Sequence, residues 1–476
     1  MRRFLLLTAF VCGGVIMGLE LAASRLISPT FGYSTYVWGA LLGVVMAGLS
    51  IGYFIGGCLA DKNHSTNNTY LIILMAFLFA AAIPYYGSAM IALVENQGVI
   101  LGSALSVLFV FGPPIILLAM VSPMIIKLNT KAVGEVGAKA GTVYAVSTLG
   151  SIAGTFITAF YLIPSYGTRI TILVMAALLL IVALIGLGRK KYLYVALLLA
   201  VVMILPQPSS PDIVYQTESE YSLIKVVRHG DTLRLVVNQD RWTQTTYRPG
   251  EIMTGRYWDY VTLGLFLSDA DDVLVVGVAG GTSIRQLQHF RPDVRIDAVE
   301  IDPKMIEVAE EYFNLTIGEN LNIIIEDGRT FIRNTNKRYD LIVIDAFGGG
   351  PNIPYYLTTR EFFQDAHDCL NDGGILMMNV LSVNDYMKLT ESIAETMSDV
   401  FPSVYIIDLQ TNQIIIAYKN KTSTQEYYQP LKEVPPELTP AANHATTHTR
   451  TPTGDGTILT DDHAPIERMI HEMIYG

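Results

Sequence analysis

The first 206 residues are dominated by apolar runs separated by brief polar connections, and this most constrains what the chain can become. Segments of membrane-spanning length lie at about 4–27, 36–60, 69–94, 99–126, 140–163 and 167–188, with a shorter seventh at about 192–206 ended by Pro206. The first run follows Met1-Arg2-Arg3 without a convincing cleavage site, so it reads as a retained span and not a signal peptide. The expectation is an N-terminal multi-span α-helical bundle of six or seven spans over 1–206, with the lipid bilayer as its partner.

Gly39, Gly43, Gly48, Gly52 and Gly56 give the second segment repeated small-residue spacing, and Gly14/Gly18 and Gly150/Gly154 repeat it elsewhere. Such spacing lets helix backbones approach closely in lipid. Arg2-Arg3, Lys62, Lys127/Lys131/Lys139 and Arg189-Lys190-Lys191 share one side if six spans alternate, which makes that side cytoplasmic. The expected location is therefore the inner cell membrane, multi-pass. The soluble half is expected on the cytoplasmic side, whereas a full seventh crossing places it outside. Glu20 and Arg25 are the ionisable candidates inside a span; a charge at that depth is costly and marks function unless the two neutralise each other. Pro113-Pro114 and Pro123 are expected to distort the fourth span.

The remainder carries most of the acids. A formal net charge of -11 argues against a broad nucleic-acid surface and suits a cationic substrate. Three cysteines, with no CxxC spacing, argue against a disulfide framework or zinc site. After the linker PQPSSP, residues 207–255 form a linker and β-hairpin region, with SLIKVVRHGDTLRLVVN alternating about a His229-Gly230-Asp231 turn. Over 256–425 the strand candidates VLVVGV, RIDAVEI, NIIIED, YDLIVIDAF and GILMMNV alternate with amphipathic helices, which indicates an α/β doubly wound sheet. SVYIIDL and NQIIIAYK suit a closing antiparallel hairpin.

Chemistry in such a sheet sits at the C-terminal strand ends. Gly277, Gly280 and Gly281 form a turn between strand and helix where a ligand can approach backbone. Glu300 ends the next strand, where an acid accepts from ribose hydroxyls. Asp327-Gly328 ends the third, within reach of an adenine amino group, and Asp345 ends the fourth beside Gly348-Gly349-Gly350-Pro351. Each acid alone suits a helix cap or turn. Three at successive strand ends after a glycine turn point to a nucleoside site, and without a Walker lysine a nucleoside triphosphatase is disfavoured.

VEIDPKMIEVAEEYF, EDGRTFI and YDLIVIDAF, in that order, resemble the spermidine synthase (polyamine aminopropyltransferase) family of the class I methyltransferase fold, over about 220–420. With GLELAASRLISPTFGYSTYVWG, IPYYLTTREFF and ILTDDHAPIE, the chain resembles the membrane-embedded spermidine synthase-like branch. The resemblance implies ribose binding by Glu300, adenine binding by Asp327, and Asp345 as the catalytic acid that orients or deprotonates an attacking amine. Gln244 and Tyr257 match donor and amine positions more loosely. The implied co-substrate is decarboxylated S-adenosylmethionine or S-adenosylmethionine, the partner a polyamine or other amine acceptor, and a homodimer is a further expectation. No metal is expected.

Two departures qualify this. Ala279 stands where soluble spermidine synthases keep an acid in GGGDGG, and Phe347 and Gly348 replace the second acid after Asp345. Their loss raises S-adenosylmethionine-dependent methyl transfer to an amine or membrane substrate as an alternative. A polyamine transporter or sensor is a third reading, motivated by Glu20 and the helical bundle. In the tail, 426–476, Asp461 and Asp462 are candidates for holding a cationic substrate, 464–475 reads as a helix, and His444 and His448 fall on an expected Thr-rich loop without a third metal ligand.

Overall fold

The computed structural model describes residues 2–62, 65–188, 212–238, 242–350, 352–383 and 386–475. The expected seventh segment, the Arg189-Lys190-Lys191 cluster and the PQPSSP linker lie outside the described residues. The chain divides into two compact units, Met1–Ser210 and Pro211–Gly476.

The first unit contains α1 (Arg2–Phe31), α2 (Thr35–Lys62), α3 (Thr66–Val94), α4 (Val99–Val110), α5 (Gly112–Asn129), α6 (Val136–Ile157) and α7 (Ile163–Leu187). Among the described residues, five helical stretches are long and apolar enough to cross a membrane. The fourth apolar run is divided at Phe111, because α5 begins Gly112-Pro113-Pro114. Proline has no N–H to continue the α4 ladder but is tolerated in a first helical turn. The next two runs form one stretch, Val133–Leu187, interrupted by a π-helix at Thr158–Leu162 and by Gly167 at φ 75.

Small residues set the helix contacts. A Cβ on Gly14 would meet the Gly150 carbonyl at 3.0 Å, and one on Gly150 would collide with the Phe10 backbone. Gly52 packs on Ile116 and Ala119 of α5, whereas Gly39 and Gly43 have open space. Only the C-terminal half of the glycine repeat in α2 therefore serves close packing.

The second unit opens with the antiparallel sheet β1 (Ile213–Glu218), β2 (Leu223–His229), β3 (Thr232–Val237), β4 (Thr243–Tyr247). His229 pairs with Thr232, so Gly230-Asp231 is the hairpin turn, with Gly230 at φ 60. The expected hairpin is thus the centre of a four-stranded sheet.

The main sheet comprises β5 (Asp272–Val276), β6 (Arg295–Glu300), β7 (Leu321–Ile325), β8 (Tyr339–Ile344), β9 (Leu370–Leu381), β10 (Ser403–Asp408), β11 (Asn412–Tyr418) and β12 (Thr449–Arg450). Their spatial order is β12-β10-β11-β9-β8-β5-β6-β7. Strands β5 to β9 pair in parallel, and β11 enters antiparallel between β9 and β10. Alternation sends Val273, Val275 and Val343 into one apolar layer and Leu274, Val276 and Ile344 into the other. Burial on both faces explains why these strands read as unbroken apolar runs.

The helices that matter for the site are α8 (Tyr257–Thr262), α9 (Thr282–Phe290), α10 (Pro303–Phe313), α11 (Gly328–Asn334), α12 (Arg360–Asp368) and α13 (Lys388–Ser398). In the tail, the expected His444/His448 loop is instead a helix, α14 (Thr439–His448). Pro440 occupies its first turn, and Ala441, Ala442 and Ala445 bury a face too small in side-chain volume to register as amphipathic. The final helix, α15 (Ile466–Tyr475), starts just after Pro465.

Candidate active site

Strand order reverses at β5, whose neighbours are β6 and β8, and such a switch point opens a crevice beyond the strand ends. The chain leaves β5 through Gly277 at φ 92. A Cβ here would collide with the Asp345 carbonyl, so glycine lets the turns after β5 and β8 run against each other. Gly280 donates its N–H to Thr245 Oγ1 at 2.9 Å, and its missing side chain admits the Thr245 methyl. Gly281, at φ 72, caps α9. Gly328 begins α11 against Val276, a position with no room for a Cβ.

Glu300, at the end of β6, accepts from the N–H groups of Val278 at 3.0 Å and Ala279 at 3.4 Å through Oε2, and from Asp302 N at 3.1 Å through Oε1. Its pKa is raised by burial, an effect opposed by those donors. Asp302 caps α10 and accepts the Ser219 hydroxyl at 2.5 Å. Asp327 caps α11: Oδ1 accepts Thr330 N at 2.9 Å and Thr330 Oγ1 at 3.0 Å, while Oδ2 accepts Tyr356 Oη at 3.2 Å. The cap role is therefore real and leaves part of the carboxylate available.

Asp345, at the end of β8, accepts Tyr257 Oη at 3.0 Å on Oδ2 and Asn379 Nδ2 at 2.8 Å on Oδ1. Burial raises its pKa to about 7, with both donors pulling the other way. A carboxylate balanced near neutrality can accept a proton from an amine at physiological pH.

The other sequence candidates lie as follows. Gln244 is half-buried on β4, one residue from Thr245 and so on the opposite face. Asp461 is engaged by Arg329 through two hydrogen bonds, 2.7 and 2.6 Å, and by Thr359 Oγ1 at 2.8 Å. Asp462 is exposed. In the first unit Glu20 is buried within α1, and Arg25 Nη1 donates to Tyr33 Oη at 3.4 Å. Among the described residues no three metal-ligating side chains converge.

The spermine/spermidine synthase domain matches residues 261–427. Residues 261–427 of the second unit thus carry a spermidine synthase-type domain. Relatives include a probable polyamine aminopropyl transferase of Bifidobacterium longum, 28% identical over 54% of this chain and 62% of its own length. The polyamine aminopropyltransferase of Vibrio vulnificus is 28% identical over 49% of this chain and 82% of its own. An eEF1A lysine and N-terminal methyltransferase of Xenopus laevis is 28% identical over 37% and 27%. This chain thus spans less than two thirds of the length of the Bifidobacterium relative.

Within this spermidine synthase-type site, the two departures are apolar in their packing. Ala279, at φ 49, borders the apolar layer around Phe313, and Phe347 joins Trp242, Ala346 and Tyr356 in another. Sequence reasoning missed Asn379, Asn412 and Tyr356. Asn412 Nδ2 donates to Asn379 Oδ1 at 2.9 Å, which orients the Asn379 amide with its NH2 towards Asp345. The available signal was a polar residue inside the otherwise apolar run GILMMNV. Arg285, whose pKa is lowered to about 10 by burial, ties the glycine turn down from Nη1 to the Gly280 carbonyl at 2.9 Å and lies over the Tyr247 ring.

Proposed function

We propose that the protein is a membrane-attached aminopropyltransferase that uses decarboxylated S-adenosylmethionine and an amine acceptor. The observation that carries this reading is Asp345, buried at the switch point, bonded to Tyr257 and Asn379, with a pKa near 7. Glu300 and Asp327 would hold ribose and adenine. Asp345 would accept a proton from the acceptor amine as its nitrogen forms a bond to the aminopropyl carbon. The carbon–sulfur bond breaks, its electron pair returns to sulfur, and methylthioadenosine leaves as a neutral thioether. The apolar stretches of the first unit support insertion in the cell membrane, with donor supply favouring a cytoplasmic catalytic unit.

Methyl transfer is the second reading. Ala279 and Phe347 favour it, since acids that would hold ammonium groups are replaced by apolar side chains, and the Xenopus relative is named as a methyltransferase. The nucleoside product separates the two. Purified protein given decarboxylated donor and putrescine should release methylthioadenosine; S-adenosylhomocysteine formed from S-adenosylmethionine instead would establish methyl transfer. Release of no methylthioadenosine with any amine would overturn the aminopropyl reading.

A further inference from the structure

The TDD segment of the tail has no part in the reaction just described, yet it is built into the same unit. Residues 457–461 run between α12 and α13: Thr457 N donates to Ser392 Oγ at 3.1 Å, Leu459 N to Thr396 Oγ1 at 2.9 Å, and Arg360 N to the Leu459 carbonyl at 2.8 Å. Leu459 is fully buried, which anchors the strap next to Asp461. Both Asp461 oxygens then face the Arg329 guanidinium in a fork, a geometry that fixes direction as well as attraction. Arg329 holds the Asp461 carboxyl below its ordinary pKa.

The same guanidinium makes a second connection. Arg329 Nη1 donates to the Tyr356 carbonyl at 3.1 Å, and the Tyr356 hydroxyl donates to Asp327 Oδ2 at 3.2 Å. Arg329 also lies two residues beyond Asp327, on the helix that Asp327 caps. A carboxylate offers about four acceptor positions. Thr330 takes two on Oδ1 and Tyr356 one on Oδ2, so one position on Oδ2 remains for an amino group.

We infer that Asp461 is a positioning residue for nucleobase recognition, acting through Arg329 and Tyr356 to aim the free acceptor position of Asp327 at an exocyclic amino group. This rests on the nucleoside reading of the site. It moves Asp461 from contact with a cationic substrate to selection of adenine over a base with a carbonyl at that position.

The test compares 5′-methylthioadenosine with 5′-methylthioinosine, whose base carries oxygen in place of the amino group, by calorimetric titration of the full-length protein. The native protein should prefer the adenine compound. Asp461→Asn should weaken that compound about tenfold, the scale of one hydrogen bond to a charged group, and leave the inosine compound within about twofold. Arg329→Lys, which keeps the charge and loses the fork, should do the same. Thermal unfolding confirms that each variant is folded at the titration temperature. Parallel loss of both ligands, or an unchanged ratio in the folded variants, overturns the inference alone. A native protein that binds neither compound overturns the nucleoside reading and the inference with it.

Discussion

Asp345, just past the end of β8, and Asn379, on the parallel neighbour β9, share a hydrogen bond of 2.8 Å, donated by the Asn379 amide to Oδ1. Tyr257 serves the other oxygen. Both donors stabilise the ionised carboxylate against the burial that favours its neutral form.

Removing either donor should therefore raise the Asp345 pKa further. In Tyr257→Phe and in Asn379→Ala, the acid limb of the pH–rate profile should move to higher pH by about 1–2 units, the scale of one hydrogen bond to a charged group. Initial rates of nucleoside product release between pH 5.5 and 9 check this. A limb that stays in place would remove these residues from the control of Asp345.

Asp345 itself should be needed in its ionised form. For the native protein, kcat/KM is expected to rise through about pH 7. Asp345→Asn should lower kcat by roughly 10²–10⁴-fold, the usual contribution of a positioned base. Single-turnover product formation, which separates chemistry from release, gives the comparison.

The same group should leave a signature on stability. The folded pKa of about 7 lies above the ordinary aspartate value of about 3.9, so the folded state binds the proton more tightly. Ionised Asp345 then disfavours folding, a cost absent below about pH 4, growing with pH and complete above about pH 7. Asp345→Asn and native protein should melt together near pH 4. At pH 8 the variant should melt at least about 2–4 °C higher, the shift that one kcal/mol produces in a domain of this size. Equal differences at both pH values would contradict this.

Gly277 permits the contact between the turns after β5 and β8, so Gly277→Ala should be costly for two reasons. Its φ of 92 disfavours any side chain, and the new methyl would strike the Asp345 carbonyl. A loss of about 1–3 kcal/mol is expected from overpacking, measurable as a lower urea midpoint for the second unit.

Much of the site was legible because each buried parallel strand is an apolar run with an acid where it ends: Glu300 after β6, Asp327 after β7, Asp345 after β8. Local pattern and strand periodicity carry that information together. Asn379 was hidden because it lies within its run, and its meaning depends on β11, which only the folded sheet brings alongside. Arg329 and Asp461 are separated by 132 positions, and nothing near either residue announces the other. The helix Thr439–His448 escaped notice because threonine and histidine suggest a loop, while the alanines that bury its inner face carry little hydrophobic signal.

The spatial order β9-β11-β10 differs from the chain order, and this ties the site to the register of β11. In the folded sheet β11 takes the β9 edge, so β10 joins only through β11. Asn412 reaches Asn379 only when Ile414 lies opposite Asn379. A slip of one residue would turn Asn412 to the other side of the sheet and leave the Asn379 amide free to rotate. Molecules trapped in that slipped pairing would retain the glycine turn and all three strand-end acids, yet Asp345 would ionise differently. A refolded preparation can therefore be compact, nucleoside-competent and still catalytically heterogeneous.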